Sequence, residues 1–362
     1  MTSRSPQKPA PTVARRSLER GLQKFDPILR RLLHPFTATG AINRNPLLEQ
    51  VRDLQYAKLN IKTLGYELGR SLALQNLSAA QEIVPEPVHV GLGSKPTTQA
   101  DIESSWLWHW CQKLGVAVIY HRKIWEYAYV LQVLWENGML EPGKRGIGFG
   151  CGEEPLPSLL AAMGVEVTVT DQAPDAAAEQ GWTATDQFTN SIDDAYREHL
   201  VDRPTFDRLT SLRYVDMNAI DQDLAGQYDF CWSICAYEHL GSIRHGQDFV
   251  VNAMKVLKPG GIAVHTTELN LAEGPTCDHY ITVLFQQPDF EEIGRRLAAA
   301  GDEPAPMSFD AGSGPIDGFI DIPPYRFGEA ERMQHGERMA HLKLSVEGFP
   351  STCFGLWAKR GG

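Results

Sequence analysis

Residues 145–155 read RGIGFGCGEEP, a short apolar run that continues into Gly148-Phe149-Gly150-Cys151-Gly152-Glu153-Glu154-Pro155. Apolar residues at helical spacing follow from Leu156 to Met163, so the glycines are predicted to lie between a strand and a helix. Glycines at a strand-to-helix turn let the backbone approach a nucleotide-like ligand closely. Taken alone, such a turn is weak evidence for a nucleotide site.

Outward from this turn, short apolar runs alternate with helical segments. Strands are predicted at Arg145–Phe149, Val165–Thr170, Leu212–Val215, Tyr228–Ile234 and Ile262–Thr267, with a helix at about 247–257 before the last of them. Strands that alternate with helices predict a parallel sheet covered by helices on both faces.

The C-terminal segment has a different pattern. Leu342, Leu344 and Val346 alternate with polar residues, and a turn at Gly348-Phe349-Pro350 leads into a second strand-like run over Cys353–Ala358. Two such runs joined by a short turn predict an antiparallel hairpin at the end of the sheet.

The first 140 residues lack this alternation. Residues 1–20 carry Pro, Ser and Arg and are expected to form a disordered tail, and residues 21–140 are predicted to be helical around a loop at 83–98. The α/β domain is expected to span 141–362, with an insert at 172–211 that is longer than an ordinary crossover. Aromatic residues concentrate before this domain, where they either pack helices together or line an acceptor pocket: Trp106, Trp108, Trp110, Trp125, Tyr127 and Tyr129.

Composition excludes several classes of function. The formal net charge is −11, which disfavours nucleic acid as the main partner, and no apolar stretch approaches the ~18 residues that span a bilayer. A soluble protein is therefore expected, with a small-molecule partner. Homo-oligomer formation stays open.

The cysteines are scattered and form no paired CxxC framework, so free thiols in a reducing cytoplasm are expected. The spacing of Cys231, Cys235 and His239 admits a metal site, but small core residues on an apolar strand explain the two cysteines better. No divalent-metal cluster is evident, and metal independence is predicted.

Two predicted strands end in carboxylates. Asp171 ends the strand after the glycine turn, where an acid can accept hydrogen bonds from both ribose hydroxyls of a nucleotide. Asp216 ends the third strand and can accept from an adenine amino group, while Met217 can pack on the adenine ring. Asn218 completes this segment.

Together these segments resemble the class I S-adenosylmethionine-dependent methyltransferases, over roughly residues 145–270 and the C-terminal hairpin. In that family EHL and LKPGG segments follow the fourth strand and precede the fifth, as Glu238-His239-Leu240 and Leu257-Lys258-Pro259-Gly260-Gly261 do here. The resemblance implies a Rossmann-like sheet of seven strands, mostly parallel, with an antiparallel C-terminal hairpin. It also implies S-adenosylmethionine as cofactor.

A looser similarity concerns the acceptor. The segments RKIWEY (Arg122–Tyr127), GFGCGEEPLP and VDMN resemble bacterial methyltransferases associated with glycan assembly. This similarity implies O-methylation of a sugar, a glycan or another small molecule.

The sequence departs from the family pattern at two positions. Gly148 stands where the family has a first-strand acid, which helps to hold the methionine amino group, and Glu154 stands in place of the third glycine. Glu153 or Glu154 supplies the missing carboxylate, or both simply complement the dipole of the following helix.

The resemblance gives a set of cofactor-binding candidates: Gly148, Gly150, Cys151, Gly152, Glu153, Asp171, Asp216, Met217, Asn218 and Ser233. The candidates for a general base are His239, Glu268 and His279, with His239 first because it follows the fourth strand. His265 lies within an apolar run, which is typical of a core histidine.

Three functions remain open from the sequence. The first is an S-adenosylmethionine-dependent methyltransferase. The second is a cofactor-binding protein with reduced catalysis and a regulatory or assembly role, which the loss of the acid at Gly148 keeps open. The third, a nicotinamide dehydrogenase, is disfavoured because Pro155 takes the place of the last glycine of GxGxxG.

Overall fold

The computed structural model describes residues 37–38, 41–42, 44–81, 84–151, 153–173, 191–279, 282–323, 325 and 340–362. The chain divides into two compact units, Met1–Ile61 and Lys62–Gly362. In the first unit β1 (Thr37–Ala38) pairs with β2 (Ala41–Ile42) in antiparallel fashion. Helix α1 (Arg44–Asn76) crosses the division. The expected tail at 1–20 lies outside the described residues.

The second unit is built on one mixed sheet. Its strands are β3 (Lys95–Pro96), β4 (Arg145–Gly148), β5 (Glu166–Asp171), β6 (Thr210–Tyr214), β7 (Tyr228–Ile234), β8 (Leu257–Asn270), β9 (Glu303–Pro304), β10 (Ile320–Asp321), β11 (Lys343–Val346) and β12 (Phe349–Lys359). They are arranged in the order β10-β11-β12-β8-β7-β4-β5-β6, with β3 and β9 paired to β12. Strands β8 to β6 of this order run parallel, and β12 runs antiparallel to β8 and β11.

The helices of this unit are α2 (Gln99–Ile102), α3 (Ser105–Leu114), α4 (Arg122–Glu136), α5 (Leu156–Ala162), α6 (Arg203–Leu209), α7 (Ile243–Ala253) and α8 (Gln287–Ala299). Short 3₁₀ turns lie at Ser78–Gln81, Ile192–Ala195, Gln222–Leu224, Tyr237–His239 and Met254–Val256. None of the described helices is long and apolar enough to cross a membrane.

The central strands separate two apolar clusters because successive side chains of a strand point to opposite faces. On β7, Phe230 and Trp232 join the cluster that includes α3, α4 and α5, whereas Cys231 joins the cluster that includes α7 and α8. Helices thus cover both faces of the parallel strands. The predicted α/β sheet, with seven main strands and an antiparallel C-terminal pair, is confirmed.

The hairpin between β11 and β12 closes at Glu347 and Gly348, both with positive φ (50° and 84°). One detail differs from the expectation. The LKPGG segment was expected to turn into the fifth strand, but β8 begins at Leu257 and includes the whole segment. The pairing of β8 with β7 shifts register between Tyr228 and Phe230, and this irregularity accommodates the positive φ of Gly260.

The aromatic residues before β4 pack helices against the sheet. Trp125 and Tyr129 of α4 are fully buried and stack with ring centroids 4.7 Å apart, and a Cβ on Gly355 of β12 would meet the Tyr129 ring at 2.3 Å. This close packing joins α4 to the sheet. Residues 62–140 therefore belong to the same compact unit as the strands.

Candidate functional site

The loops that follow β4, β5 and β7 meet at the carboxyl edge of the parallel strands. The amide of Phe149 donates to Trp232 O at 2.8 Å, and the amide of Cys151 donates to Thr170 O at 3.1 Å. The amide of Val215 donates to Asp171 O at 2.9 Å, which joins β5 to the segment after β6. Ligands of open α/β sheets bind at this edge.

Gly150 lies at the centre of this meeting point. Its φ of +62° is in the left-handed region, and a Cβ on it would lie 2.8 Å from Ala236 Cβ and 3.5 Å from Met217 Sδ. Only glycine combines this backbone conformation with so close an approach. The segments that follow β4, β6 and β7 are therefore in close contact here. Gly152 lies outside the described residues.

Asp171 lies at the strand end that the sequence predicts, whereas Asp216 lies two residues beyond the last residue of β6. Asp171 is the last residue of β5 and is half-buried, and its Oδ1 accepts from the amide of Gln172 at 2.8 Å. Asp216 is exposed, and its Oδ1 accepts from the amide of Asn218 at 2.8 Å. Met217, which lies between Asp216 and Asn218 in the sequence, is half-buried. Both carboxylates thus lie at the carboxyl edge.

The glycine at position 148 has a steric cause. Gly146 and Gly148 of β4 pair in register with Phe230 and Trp232 of β7. A Cβ on Gly148 would lie 2.3 Å from Trp232 Cζ2 and 2.3 Å from Cys151 Sγ. The indole therefore fills the space that a side chain of the first strand would take.

Glu154 brings a carboxylate back to this position. Its Oε2 accepts from Trp232 Nε1 at 3.1 Å, on the edge of the indole that covers Gly148. Burial raises the pKa of Glu154 to about 8, partly opposed by the Trp232 hydrogen bond. Glu153, by contrast, is exposed, and its backbone carbonyl accepts from Arg197. Of the two loop acids, Glu154 is the one that faces the interior.

Ser233 is placed differently from the other cofactor candidates. It is fully buried, and its hydroxyl lies 2.8 Å from His265 Nδ1. Burial lowers the pKa of His265 to about 3, so this imidazole is neutral. The side chain of Ser233 therefore has no exposed surface to offer a ligand.

The three candidate bases have different surroundings. His239 ends the 3₁₀ turn after β7, is half-buried, and has Nδ1 3.3 Å from Thr282 Oγ1. Glu268 of β8 is buried, paired with Arg122, and accepts from Ser351 at 2.7 Å. His279 is exposed, with φ +59° and Nε2 3.4 Å from Asp278. His239 alone of the three lies directly after a central parallel strand.

Sequence reasoning missed a buried polar cluster between α4 and the sheet. Glu126 is fully buried, and its Oε2 accepts from Thr266 at 2.6 Å and from Cys235 Sγ at 2.8 Å. Lys123 lies 3.3 Å from Glu126 Oε1. Opposite charge lowers the pKa of Glu126 against the effect of its burial. A carboxylate within the apolar face of a predicted helix is the signal that could have revealed the cluster.

A second buried group joins α1 to the strands near the C-terminus. Asp321 Oδ1 lies 2.5 Å from Lys62 Nζ, and Asp321 Oδ2 lies 2.7 Å from His341 Nδ1. Burial lowers the pKa of His341, opposed by the hydrogen bond to Asp321. The ring of His341 lies 4.7 Å from that of His121, the residue that precedes α4.

No family model and no curated protein matches the chain. Solved structures are similar at low identity. A sarcosine dimethylglycine methyltransferase, described as putative, from Galdieria sulphuraria is 15% identical, over 66% of this chain and 88% of that one, with a TM-score of 0.42. The [4+2]-cyclase SpnF is 15% identical over 82% and 97% (TM-score 0.41). The magnesium protoporphyrin IX methyltransferase of Synechocystis PCC 6803, solved with bound SAH, is 12% identical over 83% and 100% (TM-score 0.38). Likenesses at this level do not decide activity, so function is argued from the residues of this chain.

Proposed function

We propose that this chain is an S-adenosylmethionine-dependent methyltransferase whose cofactor binds at the carboxyl edge of β4, β5 and β6. The observation that carries the proposal is the surface around Gly150, where three loops meet beside the carboxylate of Asp171. In functional terms, residues 141–362 bind the cofactor, and residues 21–140 with the insert at 172–211 shape the acceptor pocket. Trp182 and Gln187 of that insert lie outside the described residues.

The residues present fit this cofactor. In this proposal Asp171 accepts from ribose hydroxyls and Asp216 from an adenine amino group, with Met217 against the ring; Asp171 ends β5, and Asp216 follows β6. Gly150 lets the residues after β4 approach Ala236 and Met217 closely, at the edge where we place the nucleoside. In this proposal Glu154, beside the Trp232 indole, releases its proton when the methionine ammonium binds and becomes the counter-charge that Gly148 cannot provide.

Methyl transfer from a sulfonium is an in-line displacement, and the cofactor supplies the reactive methyl group. The protein aligns the acceptor with it, and such alignment is worth about 7–11 kcal/mol. His239 takes the proton of an acceptor hydroxyl, since it follows β7 at the edge where ligands bind. Glu268 and His279 are weaker candidates, because the first is held by Arg122 and the second lies in solvent.

The acceptor class we propose is a sugar, a glycan or another small molecule methylated on oxygen. The alternative is a protein that binds S-adenosylmethionine without turnover. The buried carboxyl group of Glu154 favours the enzyme, since it lies beside the indole that fills the place of the acid missing at Gly148.

Replacing Asp171 with alanine is expected to weaken the binding of both S-adenosylmethionine and S-adenosylhomocysteine by roughly tenfold or more, about 1.4 kcal/mol. The measurement is calorimetric titration of the purified chain. Glu166→Ala is the matched control, because Glu166 begins β5 at the opposite edge of the sheet and is exposed. Its affinity should equal that of the wild type.

Failure of the wild type to bind either compound would remove the methyltransferase proposal. Binding that Asp171→Ala leaves unchanged would keep the cofactor and contradict its placement. A parallel titration with NAD distinguishes a nicotinamide enzyme. Release of S-adenosylhomocysteine in the presence of sugar acceptors separates turnover from binding alone.

Glu154 gives a prediction on pH. Its pKa is about 8 in the folded chain against an ordinary value of 4.5, so the folded state keeps a proton that the unfolded state loses. Stability should therefore fall as pH rises from about 5 to about 8, by up to about 1.4 kcal/mol per pH unit from this group. Urea unfolding of wild type and Glu154→Gln across this range measures it. Equal slopes in the two proteins would show that Glu154 ionises normally.

A further inference from the structure

Three potential metal ligands from separate elements meet beneath the carboxyl edge of the sheet. Cys235 follows β7, Cys353 lies on β12, and Glu126 lies on α4. The two sulfur atoms are 3.7 Å apart, and Cys235 Sγ lies 2.8 Å from Glu126 Oε2. One ligand atom from each residue lies within 4.8 Å of the other two.

These thiols differ from the buried thiols of Cys111 and Cys231 in their surroundings. Cys111 lies among the apolar residues of one core cluster and Cys231 among those of the other. Cys235 and Cys353, in contrast, lie beside a carboxylate that is itself fully buried. Within the described residues, Glu126 Oε1 accepts no hydrogen bond and has only the ion pair with Lys123 at 3.3 Å. The cluster thus has oxygen and sulfur atoms available to coordinate a cation.

The spacing suits a tetrahedral ion. Zinc binds cysteine sulfur at about 2.3 Å, which places two sulfurs of a regular tetrahedron about 3.8 Å apart. The observed separation of 3.7 Å matches this edge. The 2.8 Å between Cys235 Sγ and Glu126 Oε2 is shorter than the S–O edge of about 3.5 Å, so the carboxylate has to rotate when the ion binds. We propose that Cys235, Cys353 and Glu126 form a zinc site.

The charge balance permits such an ion. When Zn²⁺ binds, the two thiols release their protons, so the net charge of the cluster is unchanged. Lys123 stays paired with Glu126, and Arg122 stays paired with Glu268. Two thiolates select zinc over magnesium or calcium, which prefer oxygen ligands.

The fourth position is served by a carboxylate or by water. Glu238 is buried and lies with Glu268 in a second group of donors that shares Cys235. Glu238 Oε2 accepts from Thr267 at 2.9 Å, while Glu268 is held by Arg122 and Ser351. Glu238 is therefore the closing ligand, or it orients a water molecule that is.

The sequence predicted metal independence, and the proposal reverses that prediction. Cys235 lies 109 residues from Glu126 and 118 from Cys353, so no short sequence motif could have predicted the site. The pairing suggested by sequence spacing, Cys231 with Cys235 and His239, is not formed, because Cys231 points into the opposite core cluster.

The test is metal binding by the full chain, purified untagged, reduced, stripped with a chelator, and titrated with ZnCl₂ against a chromophoric competitor. We expect one zinc per chain and, with Co²⁺ instead, a sulfur-to-cobalt charge-transfer band. Cys353→Ser should weaken binding by about a hundredfold or more, since losing even an outer partner of a ligand costs 10–100-fold, and should reduce the band because one thiolate is left. Cys277→Ser is the matched control, because Cys277 is half-buried outside the cluster.

A wild-type readout covers the case in which Cys353→Ser fails to fold. Zinc should protect Cys235 and Cys353 from alkylation, measured by mass spectrometry, while Cys277 reacts. The proposal is wrong if the reduced wild type binds neither zinc nor cobalt, or if a folded Cys353→Ser binds zinc as the wild type does. It is also wrong if the purified chain carries a Cys235–Cys353 disulfide and takes up no zinc after reduction. None of these outcomes bears on cofactor binding through Asp171.

Discussion

Glu268→Ala is expected to lower the free energy of unfolding by about 3–5 kcal/mol. The Glu268 side chain is 4% exposed and pairs with Arg122, whose side chain is 18% exposed. Removing the carboxylate leaves a guanidinium in the interior without its counter-charge, and Ser351 loses its acceptor as well. Urea unfolding of the two proteins at one pH measures the difference.

Asp207→Ala is the matched control for this experiment. Asp207 pairs with Arg203 at 2.7 Å on α6, but both side chains are about half exposed. An exposed pair of this spacing contributes little to stability, because water screens both charges. If Glu268→Ala costs no more than Asp207→Ala, water reaches Arg122 and the buried pair does not stabilise the fold.

Gly148→Asp, which restores the acid typical of the methyltransferase family, is expected to destabilise the chain by about 3 kcal/mol or more. A Cβ at this position meets the Trp232 ring and Cys151 Sγ at 2.3 Å, so the indole has to move. The new carboxylate would also be buried beside Glu154, which adds the cost of an unpaired charge. Thermal and urea unfolding measure the loss, and cofactor affinity should not improve.

Two further variants separate the causes. Gly148→Ala tests the steric part alone, and Gly318→Ala is its control, because a Cβ there meets only Pro315 O at 3.7 Å. Trp232→Ala combined with Gly148→Asp should recover part of the loss, as a double-mutant cycle would show. A Gly148→Asp chain as stable as the wild type would contradict the packing that we describe.

Much of the fold could be predicted from the sequence because its signals are local. Apolar runs such as Tyr228–Ile234 become central strands since both faces of the sheet are covered by helices. The alternation of apolar and polar residues before Gly348 becomes β11, because successive side chains of a strand point to opposite faces. The start of β8 could not be predicted, because LKPGG has turn chemistry and only the register shift against β7 keeps it in the sheet.

Positions in the candidate site could be predicted only for residues at the end of a strand, because such residues lie at the carboxyl edge of the sheet. Asp171 follows from this rule, whereas Asp216 lies two residues beyond β6. Ser233 shows the limit of the rule, because it lies one position from the end of β7 and is buried. The glycines of β4 carried a signal, since Gly146 and Gly148 match the period of Phe230 and Trp232 on the paired strand. This signal could be interpreted only once the register between β4 and β7 was known. The cluster at Glu126 required tertiary contacts from three elements.

Strand β12 has a consequence for how the unit forms. It pairs with β8 over nine positions and also with β3, which precedes α2 near the start of the Lys62–Gly362 unit. Pairing between such distant segments gives a high contact order. The entropy lost in closing the long loops between them slows the formation of these pairs during folding. Helix α4 contacts β12 through Tyr129 and Gly355, so we expect its packing to be completed only after β12 has paired. We expect this unit to mature in one late step, with neither half viable as an isolated fragment.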